Sequence, residues 1–154
     1  MKPPTNQSLD VHVDSYIFEV SKVDDKELSM TIELYFDLLW RETRLVINET
    51  SLDWGPGGDL MGSTNFIPEM WVPDIQIFNC KQFNKRQIVT DVAGLIFFKN
   101  KTVLYTVSAE VIISCSMKFS AYPLDHQLCK FMVKTFSISL MRPRYCWKLN
   151  NMHI

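Results

Sequence analysis

The chain of 154 residues has no long hydrophobic run. Its apolar stretches are short, such as Leu95 to Phe98, and none approaches the roughly 20 residues of a spanning helix. Met1 to Ser8 holds no apolar core either, so no secretory leader is expected at this start. Basic excess is absent: Lys+Arg 16 against Asp+Glu 17 gives net −1, which argues against a dedicated nucleic-acid binder. No C-x-x-C occurs, and none of His12, His126 and His153 has a partner His or Cys at metal-ligand spacing, so a metal centre is not expected. There is no G-x-S-x-G, and no carboxylate pair stands out from the surface acids. Four of the five glycines fall between residues 53 and 65, but no G-K-[ST] follows, which excludes a phosphate-binding loop. No enzyme chemistry and no cofactor are expected from these residues.

What the chain does have is a globular composition, 47% apolar and 21% charged, over the length of one domain. Short alternating segments between turn signals make it all-β. Residues 11–20 alternate loosely. Residues 29–40 alternate fully: Met30, Ile32, Leu34, Phe36, Leu38 and Trp40 share one side against Ser29, Thr31, Glu33, Tyr35, Asp37 and Leu39. That period of two predicts a strand with one buried face. A hairpin loop is expected at Asp24–Lys26, a long exposed loop over 53–65, and a strand from Ile75 to Phe78. A second hairpin is expected from 87–98 and 101–115, turning at Lys99–Lys101. Val103, Tyr105, Val107, Ala109, Val111, Ile113 and Cys115 share a face in its second arm. Cys129, Phe131 and Val133 do so farther on. No long helix is expected over 1–137.

Charge is uneven along the chain. Residues 1–79 hold 14 acids and 5 bases; residues 80–154 hold 3 acids and 11 bases. Either the two halves lie against each other in one fold, or an acidic face of one subunit meets a basic face of a neighbour. Three N-x-[ST] sequons, at Asn6, Asn48 and Asn100, exceed the one expected by chance from eight Asn and lean toward an extracellular chain.

Four cysteines occur, and Cys115 and Cys129 both stand in phase with apolar strand faces, with 13 residues between them. Two readings stand here: a disulfide closing a loop, worth about 3 kcal/mol in the chain-entropy model, or two reduced buried thiols. Tyr122-Pro123 within the loop is a step where a cis bond and a tight turn are expected.

The loop, C-x13-C enclosing Met117 and Tyr122-Pro123-Leu124-Asp125-x-Gln127, resembles the signature loop of Cys-loop receptors, the pentameric ligand-gated ion channels. Trp40-Arg41-Glu42-Thr43-Arg44-Leu45 is similar to that family's W-x-D-x-R-L, with Glu42 where Asp is usual. Trp71-Val72-Pro73-Asp74, followed by Asn79, resembles its W-x-P-D…N segment. The three stand in the family's order. Met117, Leu124 and Arg44 most resemble invertebrate anion-selective subunits, including chloride channels gated by glutamate, protons or metal ions.

The resemblance implies an immunoglobulin-like β-sandwich, here incomplete at about seven of the family's ten or so strands. It covers residues 9–137 as a partial extracellular ligand-binding domain. Residues 138–154 do not resemble the family's next elements and read as a divergent tail, as a truncated chain or altered splice would carry. Cys80 and Cys146 have no counterpart in the family. The Cys115–Cys129 bond is implied, and with it a coupling role for Tyr122, Pro123, Asp125 and Gln127 toward the membrane segment. Small-molecule or ion ligands bind between subunits of the pentamer in this family. The implied principal loop is Trp71 to Asn79, with Trp71 and Asp74. The implied complementary residues are Tyr35, Asp37 and Leu39, with Phe97, Leu104, Tyr105 and Thr106 from the following hairpin. The resemblance implies a place on the outside of the plasma membrane, glycans at Asn6, Asn48 and Asn100, other receptor subunits as partners, and no contact with nucleic acid. Contact with the membrane comes only through spanning segments this chain does not contain. The alternative is a soluble decoy that binds receptor subunits without conducting.

Overall fold

A computed structural model describes residues 9–46, 54–87, 91–135 and 144–147. Its two longest paired strands are those with the strictest alternation. Strand β2 (Ser29–Arg41) and strand β7 (Thr102–Ser114) pair antiparallel along their full length. The register sets Met30 opposite Ile113, Ile32 opposite Val111, Leu34 opposite Ala109, Phe36 opposite Val107, Leu38 opposite Tyr105 and Trp40 opposite Val103. All twelve therefore face one side. Ile32, Leu34, Val103, Ala109, Val111 and Ile113 are completely buried there. Each buried Val, Ile or Leu contributes about 1.5–3 kcal/mol, so a one-residue slip would turn the whole apolar ladder to water.

The rest of the sheet is added to these two strands. Strand β1 (Asp10–Asp24) takes the free edge of β2, and Val11 and Val13 extend the buried face beside Trp40 and Leu38. Irregularities between Ile17 and Glu19, and between Val20 and Lys22, break its phase. The β1–β2 connection is the turn 25–28, closed by Asp24 Oδ1 accepting the Glu27 N–H at 3.0 Å, with Leu28 at φ +47°. The other edge of β7 is divided. Strand β6 (Ala93–Phe98) runs beside residues 103–107, and strand β5 (Cys80–Lys85) beside residues 109–113. Strand β3 (Asp59–Gly62) pairs with β6. Strand β9 (Arg144–Trp147) runs parallel to Asp10–Val13 of β1. The order of the seven-stranded sheet is β3-β6-β7-β2-β1-β9, with β5 alongside β7. Strands β4 (Ile75–Ile77) and β8 (Val133–Thr135) form a second, two-stranded sheet. Ile75, Trp71, Val72, Phe131, Val133 and Cys129 pack against the apolar face of the first sheet. The fold is a β-sandwich, as expected.

Two expectations change. Residues 53–65 were expected to be a loop, yet residues 59–62 are strand β3 and a short 3-10 helix follows over Thr64–Glu69. Local signals there are all turn signals. The strand exists because the edge of β6 offers it partners, and because Gly62 leaves room for the Phe97 ring. A Cβ at Gly62 would stand 2.4 Å from Phe97 Cε2. The expected count of about seven strands becomes nine among the described residues, since β3 and β9 are four residues each, too short to show periodicity.

Strands from the acidic half of the chain lie beside strands from the basic half at three places in one sheet: β3 beside β6, β2 beside β7 and β1 beside β9. Ion pairs cross the division, Arg86 with Glu33 and Lys81 with Glu27.

Candidate subunit-interface site

The face of the sheet opposite the core carries most of the expected complementary residues. Tyr35, Asp37 and Leu39 alternate with the buried ladder of β2 and so lie on the solvent side. The antiparallel register sets Asp37 opposite Thr106 and Leu39 opposite Leu104. On the other flank, β1 sets Tyr16 opposite Tyr35, Asp14 opposite Asp37 and His12 opposite Leu39. Tyr35, Asp37, Leu39, Leu104 and Thr106 are thus brought together. Phe97 and Tyr105 are not. Both point to the core side, packed against the buried cluster, because Phe97 pairs with Val103 and Tyr105 with Leu38.

Sequence reading missed the residues that β1 and β5 add to this face. Phe18 meets the Tyr35 ring at 5.4 Å between centroids, and the Arg86 guanidinium lies 5.4 Å over Phe18. Arg86 also pairs with Glu33, a buried carboxylate on β2. Asn84 Nδ2 donates to Glu110 Oε1 at 3.0 Å one row away. Nothing in the sequence links residue 18 or 86 to residue 35. Only the bulge in β1 and the arrival of β5 beside β7 do so. No Lys or Arg occurs in residues 10–17 of β1, 29–40 of β2, or anywhere in β6 and β7. Exposed aromatic rings on this face suit a positively charged group. Asp91, at the margin of β6, is held below the usual carboxylate range by Gln87, which donates from its amide at 2.6 Å, and by Lys85.

The two tryptophan motifs meet inside the sandwich. Trp40 is buried and makes an edge-to-face contact with Trp71, centroids 6.4 Å apart at 82°. Trp71 is half-buried, Pro73 buried and Asp74 exposed. Glu42 is buried and accepts from Arg44 Nε at 2.8 Å, Arg44 Nη2 at 2.7 Å and the Arg44 N–H at 3.1 Å. This fork raises the guanidinium's affinity for its proton. The Glu42 N–H donates to Lys101 O at 2.8 Å, which ties the turn after β2 to the β6–β7 hairpin. Asn79 acts as a clamp. Its Nδ2 donates to Ser114 O at 3.0 Å and Lys130 O at 2.7 Å, and its Oδ1 accepts the Met132 N–H at 3.3 Å. It therefore joins the end of β7 to the strand that follows Cys129.

Cys115 and Cys129 are bonded, with Cα atoms 5.0 Å apart. Gln127 closes the loop from within: its Oε1 accepts the Lys118 N–H at 2.9 Å and its Nε2 donates to Lys118 O at 2.9 Å. Gln127 Nε2 also donates to Asp125. The Tyr122–Pro123 bond is cis, as expected. Tyr122 (76%), Leu124 (85%) and Leu128 (78%) are exposed at the tip. The β1–β2 turn lies at this same end, since the Cys115 N–H donates to Leu28 O at 2.8 Å. Cys80 is a free thiol, and partial burial pushes its pKa up, disfavouring the thiolate. Asn100 lies in the exposed β6–β7 turn. Asn6, Asn48 and the 138–143 and 148–154 parts of the tail fall outside the described residues, as does the side chain of Cys146.

A comparison with protein families matches residues 1–152 to the neurotransmitter-gated ion-channel ligand-binding domain. The matched span includes the segment after Phe136, where the sequence by itself showed no resemblance. Among the described residues no helix is long and apolar enough to cross a membrane. A β-sandwich with a disulfide-closed loop at one end and an exposed aromatic–carboxylate face on its sheet agrees with that match. The chain belongs to the family of neurotransmitter-gated ion-channel ligand-binding domains.

Proposed function

We propose that this chain is the ligand-binding domain of a chloride-channel-like subunit and supplies the complementary half of a ligand site shared with a neighbouring subunit. The observation that carries this reading is the solvent-facing row in which Tyr35, Asp37 and Leu39 stand against Thr106 and Leu104. Trp71 and Asp74 lie on the segment assigned to the principal side. The neighbouring Tyr16 and Phe18 rings suit a ligand bearing a cationic group. Anion selectivity rests on Met117, Leu124 and Arg44 alone. Tyr122, Pro123, Asp125 and Gln127 hold an apolar loop tip that passes motion to the membrane domain, a coupling of two sites through one element. Phe97 and Tyr105 support the site from behind by holding β6 and β7 in place.

The test is co-expression with a full-length anion-selective subunit of the family, reading chloride current and subunit pull-down together. Pull-down of the chain, weakened at least tenfold by Tyr35→Ala with Thr106→Arg, is expected. A current that falls in proportion to the amount of chain identifies a decoy that occupies the complementary position without conducting. No capture and no change in current would remove both readings.

A further inference from the structure

We infer that Arg86 is a positioning residue: it clamps Phe18 against Tyr35 and so fixes the Tyr35 ring on the proposed ligand face. The inference deepens the reading given above and rests on it for the ligand, though not for the clamp. Phe18 is not held by the strand ladder. Ile17 stands opposite Leu34 and Glu19 opposite Glu33, so Phe18 is the extra residue of a bulge, with no residue opposite it. A ring left 40% exposed there depends on other supports. Two supply it. The Tyr35 ring lies 5.4 Å away at 41°, and the Arg86 guanidinium lies 5.4 Å over the Phe18 centroid, within the range of cation–π attraction.

Arg86 can bear on Phe18 because it is itself anchored at both ends. Its N–H donates to Ser108 O at 2.9 Å, and its carbonyl accepts the Val92 N–H at 2.8 Å. Its guanidinium pairs with Glu33. Ser108 is on β7 opposite Tyr35, and Glu33 precedes Tyr35 by two residues on β2. The Arg86 side chain therefore crosses β7 to reach β2 and β1. Ser108, small and buried, stands at the crossing. Charge holds the guanidinium there. Glu33 is buried, with Glu19 opposite it on β1 and Glu110 opposite it on β7, so three carboxylates share one row. Like charges directly opposite repel, and Asn84 gives Glu110 only a neutral amide donor. Among the described residues, Arg86 is the cation that pairs with this row. The outcome is a Tyr35 ring already ordered before anything binds. A preorganised ring spares a ligand the cost of ordering it.

The test labels the full chain with 3-fluorotyrosine, assigns the Tyr35 fluorine line by its loss in Tyr35→Phe, and titrates with tetramethylammonium chloride against sodium chloride at equal ionic strength. Arg86→Gln is expected to move the Tyr35 line and to weaken its response to tetramethylammonium at least threefold. Arg86→Lys, which keeps a charge for Glu33 and for the Phe18 ring, should restore at least half of both. Lys85→Gln, which loses the pair with Asp91, should change neither. Urea midpoints identify any variant that fails to fold. Phe18→Leu leaves the Arg86–Glu33 pair in place, so it decides the matter where Arg86→Gln does not fold, with a threefold loss of probe affinity expected. A Tyr35 line unmoved in folded Arg86→Gln overturns the inference, as does unchanged affinity in Phe18→Leu. A wild-type line that ignores the probe overturns the cationic-ligand reading instead. The clamp is then decided by the Arg86→Gln line alone, supported if it moves and overturned if it does not.

Discussion

Asn79 holds more of the sandwich together than its size suggests. Its amide satisfies two carbonyls and one N–H on segments far apart in the chain, at Ser114, Lys130 and Met132. Each such bond is worth about 0.5–1.5 kcal/mol net, and the abandoned partners are costly where water cannot reach them. Asn79→Ala is expected to lower unfolding free energy by about 1–3 kcal/mol, measured by urea denaturation. Asn79→Asp should recover only the Met132 contact. The resemblance marked Asn79 by position in a motif. What the residue does there was not legible, because its partners are 35 to 53 positions away. The same holds for Arg86, whose partners Glu33 and Phe18 lie on two other strands.

Elements differ in how plainly they are written. Strands β2 and β7 carry thirteen residues each of alternation, and their faces were legible to the residue. Strand β3 was not, since its four residues sit in a glycine-rich stretch and acquire strand form only by pairing with β6. Gly62 is the position where that pairing is decided. Gly62→Ala should push the Phe97 ring out of its place against the core and cost about 1–3 kcal/mol, an overpacking effect. Phe97→Leu in the same chain should restore most of the loss. A thermal-unfolding double-mutant cycle reads the coupling directly, and simple additivity would show that ring and glycine are independent.

At the scale of the whole molecule, the disulfide closes a loop whose ends are 14 residues apart, at the end of the sheet where the β1–β2 turn also lies. Replacing both cysteines by serine should cost about 3 kcal/mol. Denaturant unfolding of the oxidised protein against the Cys115→Ser, Cys129→Ser variant measures it, and an unchanged midpoint would show that the loop is held by Gln127 and its partners instead. The sequence by itself determined the all-β class, the buried faces of the two central strands, the cysteine loop and the tryptophan motifs. Those features are local, because alternation and spacing act between near neighbours along the chain. Tertiary structure alone decided which solvent-facing residues share a row, since register between β1, β2 and β7 depends on burying the opposite face. It also decided that Phe97 belongs to the core side and that Phe18 and Arg86 flank Tyr35. Side-chain direction in a sheet follows from parity, but the neighbours a side chain meets follow from pairing between strands distant in sequence.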